Sequence, residues 1–206
     1  MGRERRAARS AGPAGRVAGA WGRRIPWSAL SWSPPARWAV APAALLAVRL
    51  LLGLYWVAEL PPPSVDDFFR PYHAVWWWQR PSFAPSGYWL PGYAWLFGAV
   101  VGLAGDARAI APTNLLLHLG TGLVLARAAG PERGRAALAL AFALFGPLAW
   151  RLGQSTLSEP LHGLLVVGAV ALCGHRDGRR RALAALLAAG AALVRYDAFV
   201  LLPLFA

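Results

Sequence analysis

The sequence predicts an all-α, polytopic transmembrane protein with about five spanning helices, one interfacial amphipathic helix and one short re-entrant or interfacial helix. Composition is the first reason, because 57% of the residues are hydrophobic and only 15% are charged. A soluble domain has about 45–50% apolar and about 25% charged residues. The second reason is that the apolar residues form long runs, at 38–58, 91–104, 109–126, 136–150, 160–174 and 182–206.

The N-terminal segment, residues 1–37, is strongly basic and carries eight arginines against the single acid Glu4. Basic residues before a first apolar helix are typical of a cytoplasmic flank, because positive charge is retained on the inner side of a membrane. We therefore expect a disordered cytoplasmic tail here and no nucleic-acid partner. All the basic residues are arginine, and Ala and Gly are abundant, which is typical of a high-GC bacterial genome. The bacterial inner membrane is the expected location.

The lengths of the runs and the charges beside them predict the topology. A spanning helix needs about 20 residues, and the run 91–104 is short for one. If every run crossed, the arginine-rich loops 127–135 and 174–181 would both lie outside, against the positive-inside rule. If 91–104 does not cross, both loops lie inside. The segment 154–160 then lies outside, on the same side as the acidic pair 66–67, and we expect this arrangement.

A helix lying in the membrane interface is expected after the first run. Apolar side chains recur there at the i, i+3, i+4, i+7 spacing of one helix face, and Trp and Tyr prefer the membrane–water interface. Since proline is tolerated in the first turn of a helix, Pro71 predicts a helix that begins near Asp67. The apolar face consists of Val65, Phe68, Phe69, Tyr72, Val75 and Trp76, and the polar face of Asp66, Asp67, Arg70, His73 and Arg80.

Three groups of charge within or beside the apolar runs are the candidate functional residues. Ionisable side chains cost roughly 2.5–3.5 kcal/mol each at membrane depth, so their presence there indicates a function. Asp66 and Asp67 follow the first run, Glu159 directly precedes the fifth, and Arg195 and Asp197 lie in the last.

Each group also has a purely structural interpretation. Asp66 or Asp67 can cap the interfacial helix. Glu159, which is followed by a proline, fits the first turn of a helix, where an acid meets the positive end of the helix dipole. Arg195 can extend to the interface while Asp197 pairs elsewhere, because residues two apart on a helix point to different sides.

The order of these motifs resembles that of a known family. The acidic pair of "DDFF" (66–69) follows the first span, and an aromatic outer loop leads into "GYWLPGYAWLFGAVVGLAGDARAIAPTNLLLH" (87–118). "LSEPL" (157–161) then begins a later helix, and "VRYDAF" (194–199) lies in the last run. Residues 38–206 thus resemble the N-terminal half of the GT-C fold glycosyltransferases. These polytopic enzymes, which include protein O-mannosyltransferases and aminoarabinose transferases, use polyprenyl-phosphate sugars.

The resemblance implies roles for the three acids and a lipid-linked substrate. Asp66 would act as catalytic base or acceptor ligand with Asp67 beside it, and Glu159 would be the second outer acid. The implied partners are a polyprenyl-phosphate-linked sugar donor and membrane lipid, while the sugar and the acceptor stay unassigned.

The remaining polar candidates would bind the substrates. The guanidinium fork of Arg70 or Arg195 matches the oxygens of the donor phosphate, and His73 and Asp197 are further binding candidates. No cofactor is assigned, although a second carboxylate, such as Glu159, can hold a divalent cation with oxygen ligands.

Chain length and an alternative function complete the predictions. Members of that family have more helices, and this sequence stops at "LLPLFA" (201–206), so we expect the N-terminal part of a truncated transferase. The alternative is a non-enzymatic polytopic protein, either a transporter segment or a partner in cell-envelope assembly. In it, Glu159, Arg195 and Asp197 would line a pathway or pair between helices. The enzyme requires the acids to converge on one outward cavity, whereas a transporter places its charges near the bilayer midplane.

Overall fold

Helices account for the regular structure of the described part of the chain. A computed structural model describes residues 40–59, 65–85, 89–130, 133–153 and 155–205. No strand occurs among these residues, so the all-α prediction is confirmed for them. The predicted cytoplasmic tail lies outside them. The elements are α1 (Val40–Glu59), α2 (Val65–Gln79), α3 (Pro91–Ala104), α4 (Ile110–Ala128), α5 (Arg133–Phe145), α6 (Pro147–Leu152), α7 (Glu159–Cys173) and α8 (Gly178–Val194), with 3₁₀ segments at Ala107–Ala109 and Tyr196–Phe205.

Proline, glycine and aspartate mark several helix ends. α3 begins at Pro91, where the N–H that proline lacks would have no intrahelical partner. It ends before Gly105, whose φ of 72° suits a residue without a Cβ. The bounds of α3 are those of the predicted run 91–104. α8 is capped by Asp177, whose carboxylate accepts the backbone N–H of Arg179 at 3.0 Å.

α4 is the central helix and packs against α1, α5 and α7. Gly53 of α1 lies close to Leu115, near the start of α4. Leu45, closer to the start of α1, packs against the cluster that contains Ala126, near the end of α4. The later part of α1 therefore lies beside the start of α4. α7 and α8 form a second helix pair, and α3 packs against both α2 and α8.

Two arginine-rich connections lie at the same end of this bundle. Asn114, near the start of α4, donates from Nδ2 to the carbonyls of Ser155 and Leu157, both at 2.8 Å. Helices α4 and α7 therefore start at the same end. The connections that follow these two helices, within 127–135 and 174–181, consequently lie at the opposite end, which we call the arginine end.

Asp67 belongs to the end where α4 and α7 start. Thr156, between α6 and α7, donates its backbone N–H to Oδ1 of Asp67 at 2.7 Å. The prediction that 154–160 lies on the same side as the acidic pair 66–67 is therefore confirmed for its described part. Glu159, the first residue of α7, lies at this end as well, and we call it the acidic end.

α2 and α3 pack across the acidic end. Tyr93 and Phe97 of α3 share one buried cluster with Ile110, Leu161 and Val194. These last three residues lie at the start of α4, near the start of α7 and at the end of α8. α3 thus contacts the ends of three helices instead of running alongside them through the bundle.

Several polar side chains are fully buried while many large apolar side chains are exposed. This distribution is unusual for a water-soluble protein, whose buried side chains are mostly apolar. The exposed apolar side chains come from nearly every helix and include Leu51, Val65, Leu103, Phe142, Leu148 and Leu186. The buried polar ones, each no more than 2% exposed, are Arg49, Asp67, Asn114, Ser155 and Ser158.

α2 shows its predicted apolar face and part of its predicted polar face. Val65, Phe68 and Tyr72 are exposed, so the apolar face points outwards. The polar face is divided: Asp67 is buried and Arg70 and His73 are half-buried, whereas Asp66 and Arg80 are exposed. The predicted start of the helix is wrong, because α2 begins at Val65 and Pro71 lies inside it.

Two of the predicted apolar runs are broken. The run 136–150 divides at Gly146 into α5 and α6, because Pro147 cannot donate the hydrogen bond that would continue α5. The run 182–206 divides at Arg195, whose backbone is extended, with φ −146° and ψ 140°. Neither run forms the single continuous helix that was expected.

Helix length bears on the number of membrane spans. Within the described residues, one helical segment, Ala107–Ala128, has both the length, 22 residues, and the apolar composition of a span. Four further apolar helices are shorter, at Ala41–Trp56, Pro91–Ala104, Gly134–Phe145 and Glu159–Cys173. The expected set of five spanning helices stays a prediction.

Arg49 connects α1 to the break between α5 and α6. A helix leaves its last carbonyls without intrahelical donors. The buried guanidinium donates from Nε to the carbonyl of Leu144 and from Nη2 to the carbonyl of Trp150, both at 3.1 Å. Its Cζ lies 4.4 Å from the centre of the Trp150 ring, which is a cation–π distance. One side chain therefore ties three helices together.

Candidate functional site

Asp67 and Thr156 join α2 to the segment that precedes α7. Oδ1 of Asp67 accepts the backbone N–H of Thr156 at 2.7 Å and its hydroxyl at 3.0 Å. The same hydroxyl lies 2.6 Å from the backbone carbonyl oxygen of Asp67. A buried carboxylate requires donors of this kind to offset the loss of water, so Asp67 holds the segment in place.

Pro71 explains why Thr156 contacts the backbone of α2. In a regular helix the carbonyl of Asp67 would accept the N–H of residue 71, four positions later. Proline has no N–H, and a buried carbonyl needs a donor. The hydroxyl of Thr156 provides one, which allows the proline to remain inside the helix.

Tyr93 and Arg70 extend this network towards the surface. The hydroxyl of Tyr93 donates to the carbonyl of Thr156 at 2.6 Å, and burial raises the pKa of Tyr93 above its ordinary value. The guanidinium carbon of Arg70 lies 5.4 Å from the centre of the Tyr93 ring and 5.3 Å from that of Trp89. Both are cation–π distances, so two aromatic rings position the cation.

Arg195 links two acids at the same end of the bundle. Its Nη1 donates to Oε1 of Glu159 at 2.5 Å, and its Nε lies 3.3 Å from both carboxylate oxygens of Asp197. Nε2 of His162 lies 3.5 Å from Oδ1 of Asp197. The alternative interpretation, in which Asp197 pairs away from Arg195, does not hold, because Arg195 is extended and not helical.

Arg70 and Arg195 line one cleft, which we call the arginine cleft. Its volume is about 580 Å³. The two arginines come from α2 and from the end of α8, and both are half-buried. Asp197 lines the same cleft, so one acid faces two cations. The remaining lining residues are Trp89, Leu90, Val194 and Tyr196.

A second cleft lies between α4, α5–α6 and α7, and we call it the apolar cleft. Its volume is about 430 Å³. Most of its lining is apolar, and its polar side chains are His118, Thr121 and Glu159. Glu159 therefore reaches the apolar cleft while its Oε1 is bound by Arg195, which lines the other one.

His73 lies beside the arginine cleft without lining it. Its ring meets that of Trp89 edge to face, with the centres 4.6 Å apart. Partial burial, and secondly the positive charge of Arg70, lower the pKa of His73 below its ordinary value of 6.5. Both effects favour the neutral form of His73.

Most of the predicted site residues converge at one end of the bundle. Asp67, Arg70, Glu159, Arg195 and Asp197 meet at the acidic end, through the contacts given above. Of these, Asp67 is buried and Asp197 is exposed, while the other three are half-buried. Asp66 is exposed in the first turn of α2 and lines neither cleft. Among the described residues, no group of three or more His, Cys, Asp or Glu side chains is placed to hold a metal ion.

Four residues of the site were not predicted from the sequence, namely Trp89, Tyr93, Asn114 and Thr156. Asn114 carried a usable signal, because it is a polar residue inside an apolar run. Thr156 carried none, since a threonine between two helices has no distinctive pattern.

Comparisons with known proteins do not assign the chain to a family. No protein-family model, curated protein or solved structure matches it. The resemblance to GT-C glycosyltransferases therefore rests on the quoted sequence motifs.

Proposed function

We propose that the chain is the N-terminal, membrane-embedded part of a glycosyltransferase of the bacterial inner membrane. The enzyme takes a sugar from a polyprenyl-phosphate donor and transfers it to a hydroxyl at the outer face. The observation that carries the proposal is the arginine cleft, where Arg70 and Arg195 face one cavity at the acidic end of the bundle.

The exposed apolar surface supports a location in the membrane. Val65, Leu103 and Phe142 are 71%, 87% and 82% exposed, and in lipid such side chains incur no hydration cost. The arginine end then faces the cytoplasm, as the positive-inside rule requires. α2 and α3 lie at the outer interface, which is where aromatic residues are enriched.

The arginine cleft has the chemistry of a phosphate site. Arg70 is positioned by two aromatic rings, and its Nε is buried without a hydrogen-bond partner in the described part of the chain. Arg195 adds a second guanidinium, although Glu159 and Asp197 already neutralise it in part. A phosphate monoanion or dianion can accept hydrogen bonds from both arginines. The exposed aromatic face of α2 provides a nearby surface for the polyprenyl chain.

The reaction itself requires a leaving group and a proton acceptor. The bond between sugar C1 and the phosphate oxygen breaks as a bond forms between C1 and the acceptor oxygen. The lipid phosphate leaves as an anion, which the arginines stabilise. The proton of the acceptor hydroxyl passes to a carboxylate within hydrogen-bond reach. The acids of this end, Asp66, Asp67 and Glu159, are the candidates for that role.

The location of the charges favours an enzyme over a transporter. Asp67, Glu159 and Arg195 all lie at helix ends and not along the middle of the bundle. Arg49 is a charged residue in the middle of α1, and it donates hydrogen bonds to backbone carbonyls of the protein itself.

Donor binding tests the proposal. The protein is placed in lipid nanodiscs, and binding of undecaprenyl phosphate is compared with that of undecaprenol by native mass spectrometry. We expect the phosphate to bind at least about tenfold more tightly, and Arg70→Gln to remove most of that preference, because charge-assisted hydrogen bonds are lost. Arg108→Gln is the matched control, since Arg108 is exposed and lies outside the cleft. Equal binding of the two lipids by the unaltered protein contradicts the proposal.

A further inference from the structure

The apolar cleft contains two buried polar atoms that need partners. Within the described residues, Oε2 of Glu159 and Nε2 of His118 are buried without a hydrogen-bond partner. His118 is only 8% exposed, and both residues line the cleft. An unsatisfied buried polar atom costs about 1–3 kcal/mol, so the cleft is suited to a ligand that supplies both bonds.

The shape and lining of the cleft restrict the rest of that ligand. Apart from three polar side chains, its wall is apolar and includes Phe142, Leu148 and Leu152. Phe142 and Leu148 are 82% and 68% exposed, so the mouth of the cleft opens onto the apolar outer surface of the bundle. A ligand that enters from this surface must therefore carry an apolar chain.

A hydroxyl group matches the unpartnered carboxylate oxygen. It donates one hydrogen bond and accepts others, whereas a carboxylate oxygen only accepts. The hydroxyl can thus donate to Oε2 of Glu159. A carboxylate or phosphate head group would instead be repelled by Glu159.

We propose that the apolar cleft is the acceptor site and that it takes an alcohol carried on an apolar chain, with Oε2 of Glu159 accepting the hydrogen of the alcohol. This inference rests on the proposed function and identifies its acceptor class and its base. The other oxygen of Glu159 binds Arg195, which lines the arginine cleft. One carboxylate therefore lies between the acceptor hydroxyl and the donor phosphate.

The reaction balances with these groups alone. The O–H bond of the alcohol breaks and its proton moves to Oε2 of Glu159. The alcohol oxygen bonds to sugar C1 as the bond between C1 and the phosphate oxygen breaks. The electrons of the broken bond between C1 and the phosphate oxygen leave with the polyprenyl phosphate, which binds in the arginine cleft. No oxidant or reductant is required.

Photolabelling in the absence of any sugar donor tests the site. The protein in phosphatidylcholine nanodiscs is irradiated with hexadecanol that carries a mid-chain diazirine, and labelled peptides are mapped by mass spectrometry. We expect labels on the cleft walls. Unlabelled hexadecanol should compete about tenfold better than hexadecyl methyl ether, because the ether cannot donate the hydrogen bond to Glu159. Glu159→Leu should abolish this difference between the two competitors.

A second variant keeps the test decisive if Glu159→Leu fails to fold. A Cβ on Gly163, which lines the cleft, would meet no atom within 4 Å, so a side chain can begin there without a clash and Gly163→Leu takes up space in the cleft. We expect it to lower labelling at least about fivefold, because the leucine occupies volume that the ligand needs. Gly134→Leu is the control, because Gly134 also faces open space but lies outside the cleft.

The possible failures of the two proposals are separable. Equal competition by alcohol and ether, or unchanged labelling of Gly163→Leu, overturns the acceptor site whatever the lipid phosphate does. Equal binding of undecaprenyl phosphate and undecaprenol overturns the glycosyltransferase, and this result is independent of the photolabelling.

Discussion

The hydroxyl of Thr156 donates to the backbone carbonyl of Asp67 at 2.6 Å, at the position where Pro71 has no N–H to offer. Two residues that are 89 positions apart thus complete a hydrogen bond that the helix itself cannot make. The carboxylate of Asp67 accepts the backbone N–H of Thr156 in return. This double contact determines where α7, and therefore Glu159, begins relative to α2.

Removal of the Thr156 hydroxyl should destabilise the protein. Thr156→Val removes the one hydroxyl hydrogen that the buried carbonyl and Oδ1 of Asp67 share, at a cost of about 1–3 kcal/mol. We expect a lower midpoint of thermal unfolding in detergent, and Thr156→Ser should retain most of the stability because it keeps the hydroxyl.

The proline provides an internal check on that interpretation. Pro71→Ala restores the N–H that the carbonyl of Asp67 would accept in a regular helix. Thr156→Val should therefore lower the free energy of unfolding less in the Pro71→Ala protein than in the unaltered one, and a double-mutant cycle measures the difference. Equal losses in both backgrounds would show that Thr156 does not replace the hydrogen bond that residue 71 would donate to Asp67.

Gly98 should not tolerate a methyl group. A Cβ at this position would lie 2.3 Å from Cε3 of Trp77 and 3.0 Å from the carbonyl oxygen of Ala74, so α2 and α3 would have to separate. We expect Gly98→Ala to destabilise the protein by about 1–3 kcal/mol, as overpacking does. The control is Gly120→Ala, where the nearest atom lies at an ordinary 3.4 Å. There the better helix propensity of alanine should be neutral or stabilising.

The two ends of the bundle should lie on opposite sides of the membrane. Cys173 is the sole cysteine of the sequence, so a Cys173→Ala background allows single cysteines to be introduced. An impermeant maleimide added to intact cells should label S82C, between α2 and α3, and should label R176C, between α7 and α8, only after the cells are opened. Both positions are exposed. Labelling of both variants in intact cells would contradict the proposed topology.

His73 should make stability depend on pH. Its pKa is lowered in the folded protein, first by burial and second by Arg70, so the unfolded chain takes up a proton at a higher pH than the folded one. The stability that neutral His73 contributes is present above about pH 6.5 and is lost as the pH falls through the lower, folded-state pKa. We expect a smaller loss of thermal stability between about pH 7 and about pH 5 for His73→Gln than for the unaltered protein. Parallel losses would show that other groups account for the pH dependence.

The sequence predicted those features that depend on local pattern. The bounds of α3 followed from the apolar run between Pro91 and Asp106, and the outward apolar face of α2 followed from helical spacing. The shared end of Asp67 and the segment 155–160 followed from counting arginines in loops. Each of these signals lies within a short stretch of chain, or comes from the positive-inside rule, which can be applied without knowing any contacts.

The details of the site depend on contacts between distant residues, which a single sequence does not encode in a readable form. Thr156 became important only because Pro71 lies inside a helix. The bond from Arg195 to Glu159 spans 36 positions, and Arg195 contacts Asp197 because its backbone is extended. The preference for Asp66 over Asp67 came from the family resemblance, and the structure adds that Asp67 is the buried member of the pair.

Arg49 has a consequence for how the protein is made. When α1 leaves the ribosome, the carbonyls that will bind its guanidinium lie 95 and 101 residues further along the chain. Until they are synthesised, α1 in lipid would hold an unsatisfied cation at a cost of roughly 2.5–3.5 kcal/mol on insertion scales. α1 is therefore best retained by the insertion machinery until α5 and α6 have been translated. In the proposed membrane location, the order of synthesis and the order of membrane integration would then differ.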